Sequence, residues 1–153
     1  MTVVFDAEAL LAFSFDELGA EEVEHWLDRV YDGEIDGFIS TVNLAEFRYI
    51  AIRKTSAQQA DAHIDELRDM GVDEYDSNDL WKAASELKAR YSPSLGDTYA
   101  VATAKAIDTD NERSVSLLVG ADDDYDVFEG EEEFMHLIER FRDEASYTGR
   151  RNP

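Results

Sequence analysis

The chain has 153 residues, the length of one ordinary domain, because two independent cores would leave each half too short to fold comfortably alone. Its 36 acidic and 14 basic residues give a formal net charge of -22, which excludes binding to nucleic acid or anionic membranes by bulk electrostatics in dilute salt. The lack of cysteine excludes disulfide frameworks, thiolate metal sites and cysteine nucleophiles, while 44% hydrophobic residues suffice for a core.

In chain order, short apolar runs alternate with longer amphipathic stretches. Residues 2–5, 37–40 and 116–119 are apolar runs of the kind that forms strands buried on both faces of a parallel sheet. Residues 72–75 predict a weaker strand. Residues 134–141 fit either an amphipathic helix or an apolar edge strand, and periodicity alone leaves both open.

Amphipathic helical patterns fill the intervals between the strands. Apolar residues stand three and four positions apart in residues 23–30, 44–51, 60–67, 80–87 and 95–106. Ser56, Ser77 and Ser94 precede the last three patterns and are predicted N-caps. Gly71 is predicted to end the helix that follows Ser56.

This alternation predicts an α/β fold with a mainly parallel central sheet. We assign residues 1–145 to a single domain and the polar residues 146–153 to a frayed C-terminal tail. The N-terminus has neither a basic segment nor the roughly 18 apolar residues of a membrane span, so we expect a cytoplasmic protein. Acids spread over the whole length resemble adaptation to concentrated salt, where a Debye length of about 3 Å at 1 M limits self-repulsion.

Most motif-based chemistries are missing from the sequence. There is no glycine-rich phosphate loop, no G-x-S-x-G nucleophile and no H-E-x-x-H zinc motif, and each of the 3 histidines lacks a partner at ligand spacing. Open α/β sheets bind ligands beyond the C-terminal ends of their strands, where acids that follow strands or open helices converge. Acids in such places are Asp6, Glu46, Asp97 and Asp122.

Each of these acids also has an ordinary structural interpretation. Asp6 fits the N-cap of a helix that begins at residue 7, and Glu46 fits a capping box with Asn43. Asp97 fits a capping box at the start of its own helix, and Asp122 fits a solvated run of acids. Taken singly, each residue leaves both interpretations open, and only the ordered set favours a site.

A shared site for these acids calls for a hard divalent cation. Clustered carboxylates drive one another toward protonation unless a cation offsets their charge, and Mg²⁺ and Mn²⁺ prefer oxygen ligands. Such a site hydrolyses phosphodiesters by activating water and stabilising charge on the attacked phosphate and the leaving oxygen. The sequence therefore predicts a metal-dependent nuclease with Asp6, Glu46, Asp97 and Asp122 as catalytic metal ligands, and Asp124 as a fifth candidate.

The order of these motifs resembles the PIN-domain family, and most closely the VapC-type toxin ribonucleases, from residue 3 to about residue 141. The most specific stretch is Leu-Gly-Asp-Thr-Tyr-Ala-Val-Ala-Thr-Ala at residues 95–104, similar to the family's third acid followed by small residues. Residues 3–6, 41–46 and 118–125 resemble the other acidic motifs. The resemblance implies a three-layer α/β/α fold, one or two Mg²⁺ or Mn²⁺ ions and endonucleolytic cleavage of RNA. It also implies frequent homodimers and, for toxins, a small antitoxin encoded beside them.

Two places depart from the family pattern. Ala7 and Glu8 stand where the family usually has hydroxyl-bearing or Asn residues, and Gly120 with Ala121 replaces Thr or Ser followed by Gly. Loss of polar groups that orient metal ligands costs roughly 10 to 100-fold in metal affinity or activity. These departures motivate an alternative hypothesis, a PIN-fold protein that binds a partner without catalysis.

A second alternative is an aspartyl-phosphate phosphatase of the haloacid dehalogenase type. Asp6-Ala7-Glu8 after the first strand distantly resembles its nucleophile motif, and Asp122-Asp123 resembles its late acidic pair. The fit is poorer, because Glu8 replaces an aspartate of that motif and the segment around Asp97 has no role there.

RNA binding by so acidic a chain requires basic side chains near the site. Arg48, Arg53 and Lys54 follow Glu46 on one predicted helix. Each also fits an ordinary solvated helix charge. Arg48 is the predicted phosphate contact.

Overall fold

The computed structural model describes residues 1–111 and 114–143, so the predicted tail at 146–153 lies outside the described residues. The strands are β1 (Thr2–Phe5), β2 (Asp36–Ser40), β3 (Val72–Tyr75), β4 (Val115–Val119) and β5 (Ile138–Arg140). The helices are α1 (Ala7–Ser14), α2 (Ala20–Tyr31), α3 (Thr41–Lys54), α4 (Ala57–Asp69), α5 (Trp81–Tyr91), α6 (Leu95–Asn111) and α7 (Asp126–Glu129), the last preceded by a 3-10 turn (Asp123–Tyr125).

The strands form one sheet in the order β3-β2-β1-β4-β5, and every neighbouring pair is parallel. The predicted parallel sheet is confirmed, with β2 and β4 each one residue longer at the start than the apolar runs indicate. Because β2, β1 and β4 are adjacent, their C-terminal ends meet at one edge of the sheet. The residues that follow these three strands are therefore brought together.

Both faces of the sheet are covered, which confirms the three-layer α/β/α architecture. Val3 and Phe5 pack into a core with the apolar faces of α1 to α4, while Val4 between them packs into a second core with α6. The alternation follows from the strand geometry, which turns successive side chains to opposite faces. Burial on both faces explains why Val3, Val4 and Phe5 of β1 are all apolar.

The segment at residues 134–141 is a strand only at its end. Residues 132–137 are turns, and β5 adds to the sheet edge beside β4. Phe134 and Leu137 enter the second core, whereas Met135 is exposed. The apolar residues of this segment thus anchor a turn, and neither strand nor helix periodicity describes it.

The predicted caps hold at two of three serines. The Ser56 hydroxyl accepts from the N–H of Gln59, and the Ser94 hydroxyl accepts from the N–H of Asp97. The Ser77 cap is wrong, because α5 begins after Leu80 without a side-chain cap. The Ser77 hydroxyl instead accepts from the N–H of Val42 at 3.4 Å, which ties the end of β3 to the first turn of α3.

Gly71 ends α4 as predicted, with a φ of 103° that residues with a Cβ rarely adopt. None of the helices in the described ranges is long and apolar enough to cross a bilayer.

Candidate metal centre

A cleft of about 920 Å³ opens at the edge of the sheet where β1 and β4 end. Its lining includes all five acids that the sequence singles out, namely Asp6, Glu46, Asp97, Asp122 and Asp124. They come from the residue after β1, from α3, from α6 and from the loop and 3-10 turn after β4, so positions as far apart as 6 and 124 share one cleft. The parallel strands explain this convergence.

Asp6 is both the N-cap of α1 and an acid of the cleft, as its two sequence interpretations predict. Its Oδ1 accepts from the N–H of Ala9 at 2.8 Å and caps α1, while its Oδ2 accepts from the Tyr125 hydroxyl at 3.2 Å. The side chain is buried at the floor of the cleft. The cap therefore fixes the direction in which the carboxylate faces the other acids.

The capping box of Asn43 with Glu46 is wrong. Ser40 is the N-cap of α3 and its hydroxyl accepts from the N–H of Asn43 at 3.0 Å. The Asn43 amide instead donates to Glu46 Oε1 at 2.7 Å and to the Gly96 carbonyl at 3.0 Å. Asn43 thus orients Glu46 and ties α3 to the start of α6.

Gly96 leaves the space that Glu46 occupies. A Cβ at this position would lie 2.6 Å from the Glu46 carboxyl carbon, closer than such atoms approach in proteins. The Leu-Gly-Asp segment therefore contributes two features to the cleft. Asp97 supplies a carboxylate, and Gly96 leaves space for the carboxylate of Glu46.

Three of the acids form a compact cluster. One carboxylate oxygen from each of Asp97, Asp122 and Asp124 lies within 4.8 Å of the other two. Asp122 Oδ1 accepts from the N–H of Asp124 and Asp124 Oδ2 accepts from the N–H of Ser94, both at 2.9 Å. Asp6 and Glu46 line the same cleft outside this cluster, so three of the five predicted acids form the cluster and two do not.

Burial first, and the charges of neighbouring acids, raise the pKa values of Asp97, Asp6 and Glu46. Burial, and then the negative charge of Asp122, raises the pKa of Asp97 to about 7. The pKa of Asp6 is raised well above its ordinary value by burial first and by the charge of Glu8 second. Burial also raises the pKa of Glu46, and the hydrogen bond from Asn43 partly opposes this by lowering it.

Tyr125 lies between Asp6 and Asp97. Burial, followed by the charges of those two acids, raises the pKa of its hydroxyl well above the ordinary range. The hydroxyl therefore stays protonated and remains the hydrogen-bond donor to Asp6 at neutral pH.

The acids fit a hard divalent cation. Asp97 is 8% exposed, and its Oδ2 is buried without a hydrogen-bond partner. A buried polar atom normally has a partner, and a carboxylate oxygen without one costs free energy. The neighbouring donors are carboxylate oxygens, the ligands that Mg²⁺ and Mn²⁺ prefer. A cation at this place would satisfy Asp97 and offset the repulsion that raises the pKa values.

The comparisons with known proteins agree with this geometry. The sequence profile of the PIN domain matches residues 3–130. The chain belongs to the PIN-domain family. The structure of VapBC2 from Rickettsia felis, bound to a DNA fragment from its promoter, is similar in fold: the TM-score is 0.68 at 13% identity, covering 92% of this chain and 98% of that one. The comparison with curated proteins gave no match.

The PIN domain places Arg48 away from the cleft. Its guanidinium donates to Asp61 of α4 at 2.8 Å on the solvent side of the helix pair. Lys54 is the residue of α3 that lines the cleft with a positive charge, and Glu17 lies 3.5 Å from its Nζ. Helix periodicity could have identified Lys54 from the sequence. Glu46, Ile50 and Lys54 are spaced by four and share one face of α3, whereas Arg48, two positions from Glu46, does not lie on that face.

Sequence reasoning also missed Arg142 and the role of Glu8. Arg142 follows β5, lines the cleft and donates to Glu8 Oε1 at 2.5 Å and to the Leu18 carbonyl at 2.8 Å. The two side chains are 134 positions apart in the chain. No local pattern indicates such a pair.

The metal-free PIN domain is expected to lose stability as the pH rises from about 4 to about 7. Unfolded aspartates titrate near pH 3.9, so between that pH and about 7 the folded state keeps protons on Asp97 that the unfolded chain has lost. The free energy of unfolding must then fall with rising pH. Thermal denaturation with and without Mn²⁺ in concentrated KCl measures this, and stabilisation by Mn²⁺ should grow with pH because ligands must be deprotonated. An equally steep decline in Asp97→Asn would contradict the assignment.

Proposed function

We propose that this PIN domain is a divalent-metal-dependent endoribonuclease that hydrolyses RNA phosphodiesters, the toxin of a toxin–antitoxin pair. The observation that carries the proposal is the unpaired buried Oδ2 of Asp97 beside the carboxylates of Asp122 and Asp124. PIN domains are generally nucleases, and the resemblance of the sequence motifs implies that Asp6, Glu46, Asp97 and Asp122 are the family's acids.

Each group of the cleft has a defined task in this proposal. Asp97, Asp122 and Asp124 hold the Mg²⁺ or Mn²⁺ ion, with Asp6 and Glu46 as further acids of the site. When bound, the cation supplies charge stabilisation on the attacked phosphate and the leaving oxygen. Asn43 keeps Glu46 turned toward the cleft. The Tyr125 hydroxyl bonds to Asp6 and separates the charges of Asp6 and Asp97.

The proposed partners follow from the family rather than from contacts in this chain. VapBC2 of Rickettsia felis is a complex bound to promoter DNA, which supports a cognate antitoxin for this chain. We also propose a homodimer in the cytoplasm. An antitoxin that carries basic residues would complement a chain with a net charge of -22.

The deciding experiment incubates total RNA with the purified protein at high salt, with Mn²⁺ alone and with excess chelator. Endonucleolytic fragments that disappear with chelator support the proposal. An intact RNA pool, together with a melting temperature that ignores Mn²⁺, would favour the partner-binding alternative. Turnover of phosphomonoesters and a beryllofluoride adduct on Asp6, without RNA cleavage, would favour the phosphatase.

Lys54 is expected to contribute more to RNA binding than Arg48, the residue that the sequence favours. Lys54→Ala should weaken cleavage at low substrate concentration, because Lys54 is the cleft-lining lysine of α3. Arg48→Ala on the same helix is the matched control, since Arg48 pairs with Asp61 outside the cleft. The measurement is kcat/KM against salt, where loss of one phosphate contact lowers the salt slope by about 1. A larger loss of kcat/KM in Arg48→Ala than in Lys54→Ala would instead support Arg48 as the phosphate contact.

A further inference from the structure

Glu8 stands where the family pattern has a different residue, and its carboxylate lies in the acidic cleft. It lines the cleft together with Asp6 and Asp97, and its negative charge acts on Asp6. Its side chain is 23% exposed, which leaves it accessible from the cleft. Glu8 is thus a further acid of the cleft, contributed by the first turn of α1.

Arg142 holds this carboxylate in place. Its guanidinium is anchored by the Leu18 carbonyl at 2.8 Å and donates to Glu8 Oε1, and its side chain is 3% exposed. Arg142 Nη2 donates to Glu8 Oε1, and Glu8 Oε2 accepts no hydrogen bond from the described residues. An ionised carboxylate has about four acceptor positions, so the ion pair leaves acceptor capacity on the Glu8 side of the cleft.

Gly120 supplies the space for Glu8. A Cβ at position 120 would lie 2.5 Å from Glu8 Oε1, and the three atoms nearest to that Cβ all belong to the Glu8 carboxylate. The backbone at Gly120 cannot yield easily, because Arg140 Nη1 donates to its carbonyl at 2.7 Å and to that of Asp122 at 2.9 Å. The departures from the family pattern at positions 8 and 120 are therefore complementary: a carboxylate from one fills the volume that a side chain at the other would take.

We propose that Glu8, fixed by Arg142 and admitted by Gly120, is an additional acidic residue of the metal site that strengthens binding of a divalent cation in the cleft. The inference rests on the proposed function, since it requires that the cleft binds a cation at all. The unpaired Asp97 Oδ2 is the independent observation that points to such a ligand. Arg142 and Gly120 are the positioning residues here, because they fix the place of Glu8 relative to the acids of the cleft.

The test is the Kd of Mn²⁺ at high salt, measured by isothermal titration calorimetry without RNA. Glu8→Gln retains an acceptor for Arg142 but removes the charge, and we expect Mn²⁺ to bind roughly 10 to 100-fold more weakly. Glu17→Gln is the matched control, because it removes one charge from the same cleft where Glu17 faces Lys54. Its effect measures the general electrostatic loss, expected to be about twofold at high salt.

Two further variants separate the metal role from a structural one. Gly120→Ala keeps both charges of the pair and pushes the Glu8 carboxylate aside, so it should also weaken Mn²⁺ binding. Its control is Gly130→Ala, whose Cβ would meet its nearest neighbour at an ordinary 3.7 Å. If Glu8→Gln fails to fold, Glu8→Gln combined with Arg142→Met removes both charges of the buried pair and replaces that variant.

The outcomes are distinguishable. Weaker Mn²⁺ binding in Glu8→Gln and Gly120→Ala than in their controls, with each variant still unfolding cooperatively in chelator, supports the inference. Wild-type affinity in the Glu8 variants would overturn it and leave the proposed function standing, with the Glu8–Arg142 pair only tying the segment after β5 to α1. A wild-type protein that does not bind Mn²⁺ would overturn both.

Discussion

Asp97→Asn is expected to abolish metal-dependent RNA cleavage while making the metal-free protein more stable. The carboxylate is buried, one oxygen lacks a partner, and burial with the charge of Asp122 raises its pKa to about 7. At neutral pH and above, the neutral amide removes a charge that destabilises the fold. Without that carboxylate the site loses an anionic ligand, and we expect a loss of activity of at least about 100-fold.

The stability gain is measurable in the same preparation. A gain of ~2 kcal/mol corresponds to a rise of about 4–8 °C in the melting temperature of a chain of this length, measured in chelator at about pH 8. Addition of Mn²⁺ should then reduce the difference in melting temperature between Asp97→Asn and the wild type, because only the wild type retains the full ligand set. Asp61→Asn is a control of the same chemistry outside the cleft, where Asp61 pairs with Arg48. Full metal-dependent activity in Asp97→Asn would exclude Asp97 as a ligand.

Arg142→Met is expected to cause the largest loss of stability of any charge removal in the described residues. Arg142 is 6% exposed, and its removal leaves the Leu18 carbonyl and the Glu8 carboxylate without their guanidinium partner. Deleting one partner of a buried ion pair typically costs about 3–5 kcal/mol of the free energy of unfolding, and the partial exposure of Glu8 places the expected loss near the lower value. The released negative charge of Glu8 also raises the repulsion on Asp6.

Urea denaturation of matched variants tests this expectation. Arg68→Met breaks an exposed pair, in which Arg68 Nη2 lies 3.8 Å from Glu74, and should cost less than about 1 kcal/mol. Adding Glu8→Gln to Arg142→Met should recover part of the loss, because the side chain that loses its guanidinium partner is then neutral. A loss in Arg142→Met no greater than that in Arg68→Met would show that the buried pair contributes little.

The alternation of elements and the place of the acids are local properties, and the sequence determined both. Three consecutive residues of β1, Val3 to Phe5, are apolar because both faces of the strand are buried, and this pattern is visible without the fold. Parallel strands all point the same way, so acids that follow β1 and β4 had to reach one edge. Asp6 and Asp122 were predicted for that reason, whereas Asp97 was predicted from its place in the first turn of a helix. The segment at 134–141 was ambiguous because only three of its residues are a strand.

The tertiary structure decided which side chains of the helices face the cleft, because the direction of a side chain depends on how its helix packs. Asn43 has the spacing of a capping box with Glu46, yet the backbone places the cap at Ser40 and frees the amide to orient Glu46. Arg48 and Lys54 have similar chemistry in sequence, but they lie ~120° apart around the axis of α3, and Lys54 is the one on the cleft side.

The pairing of Glu8 with Arg142 was decided by the tertiary structure alone. The two residues are separated by 134 positions, and they meet because β5 adds to the sheet beside β4 and carries the chain back to α1. In the sequence, Glu8 and Gly120 are two unrelated departures from a family pattern. In three dimensions they are one feature, because two groups cannot occupy the same volume and the absence of a Cβ at one position admits the carboxylate from the other.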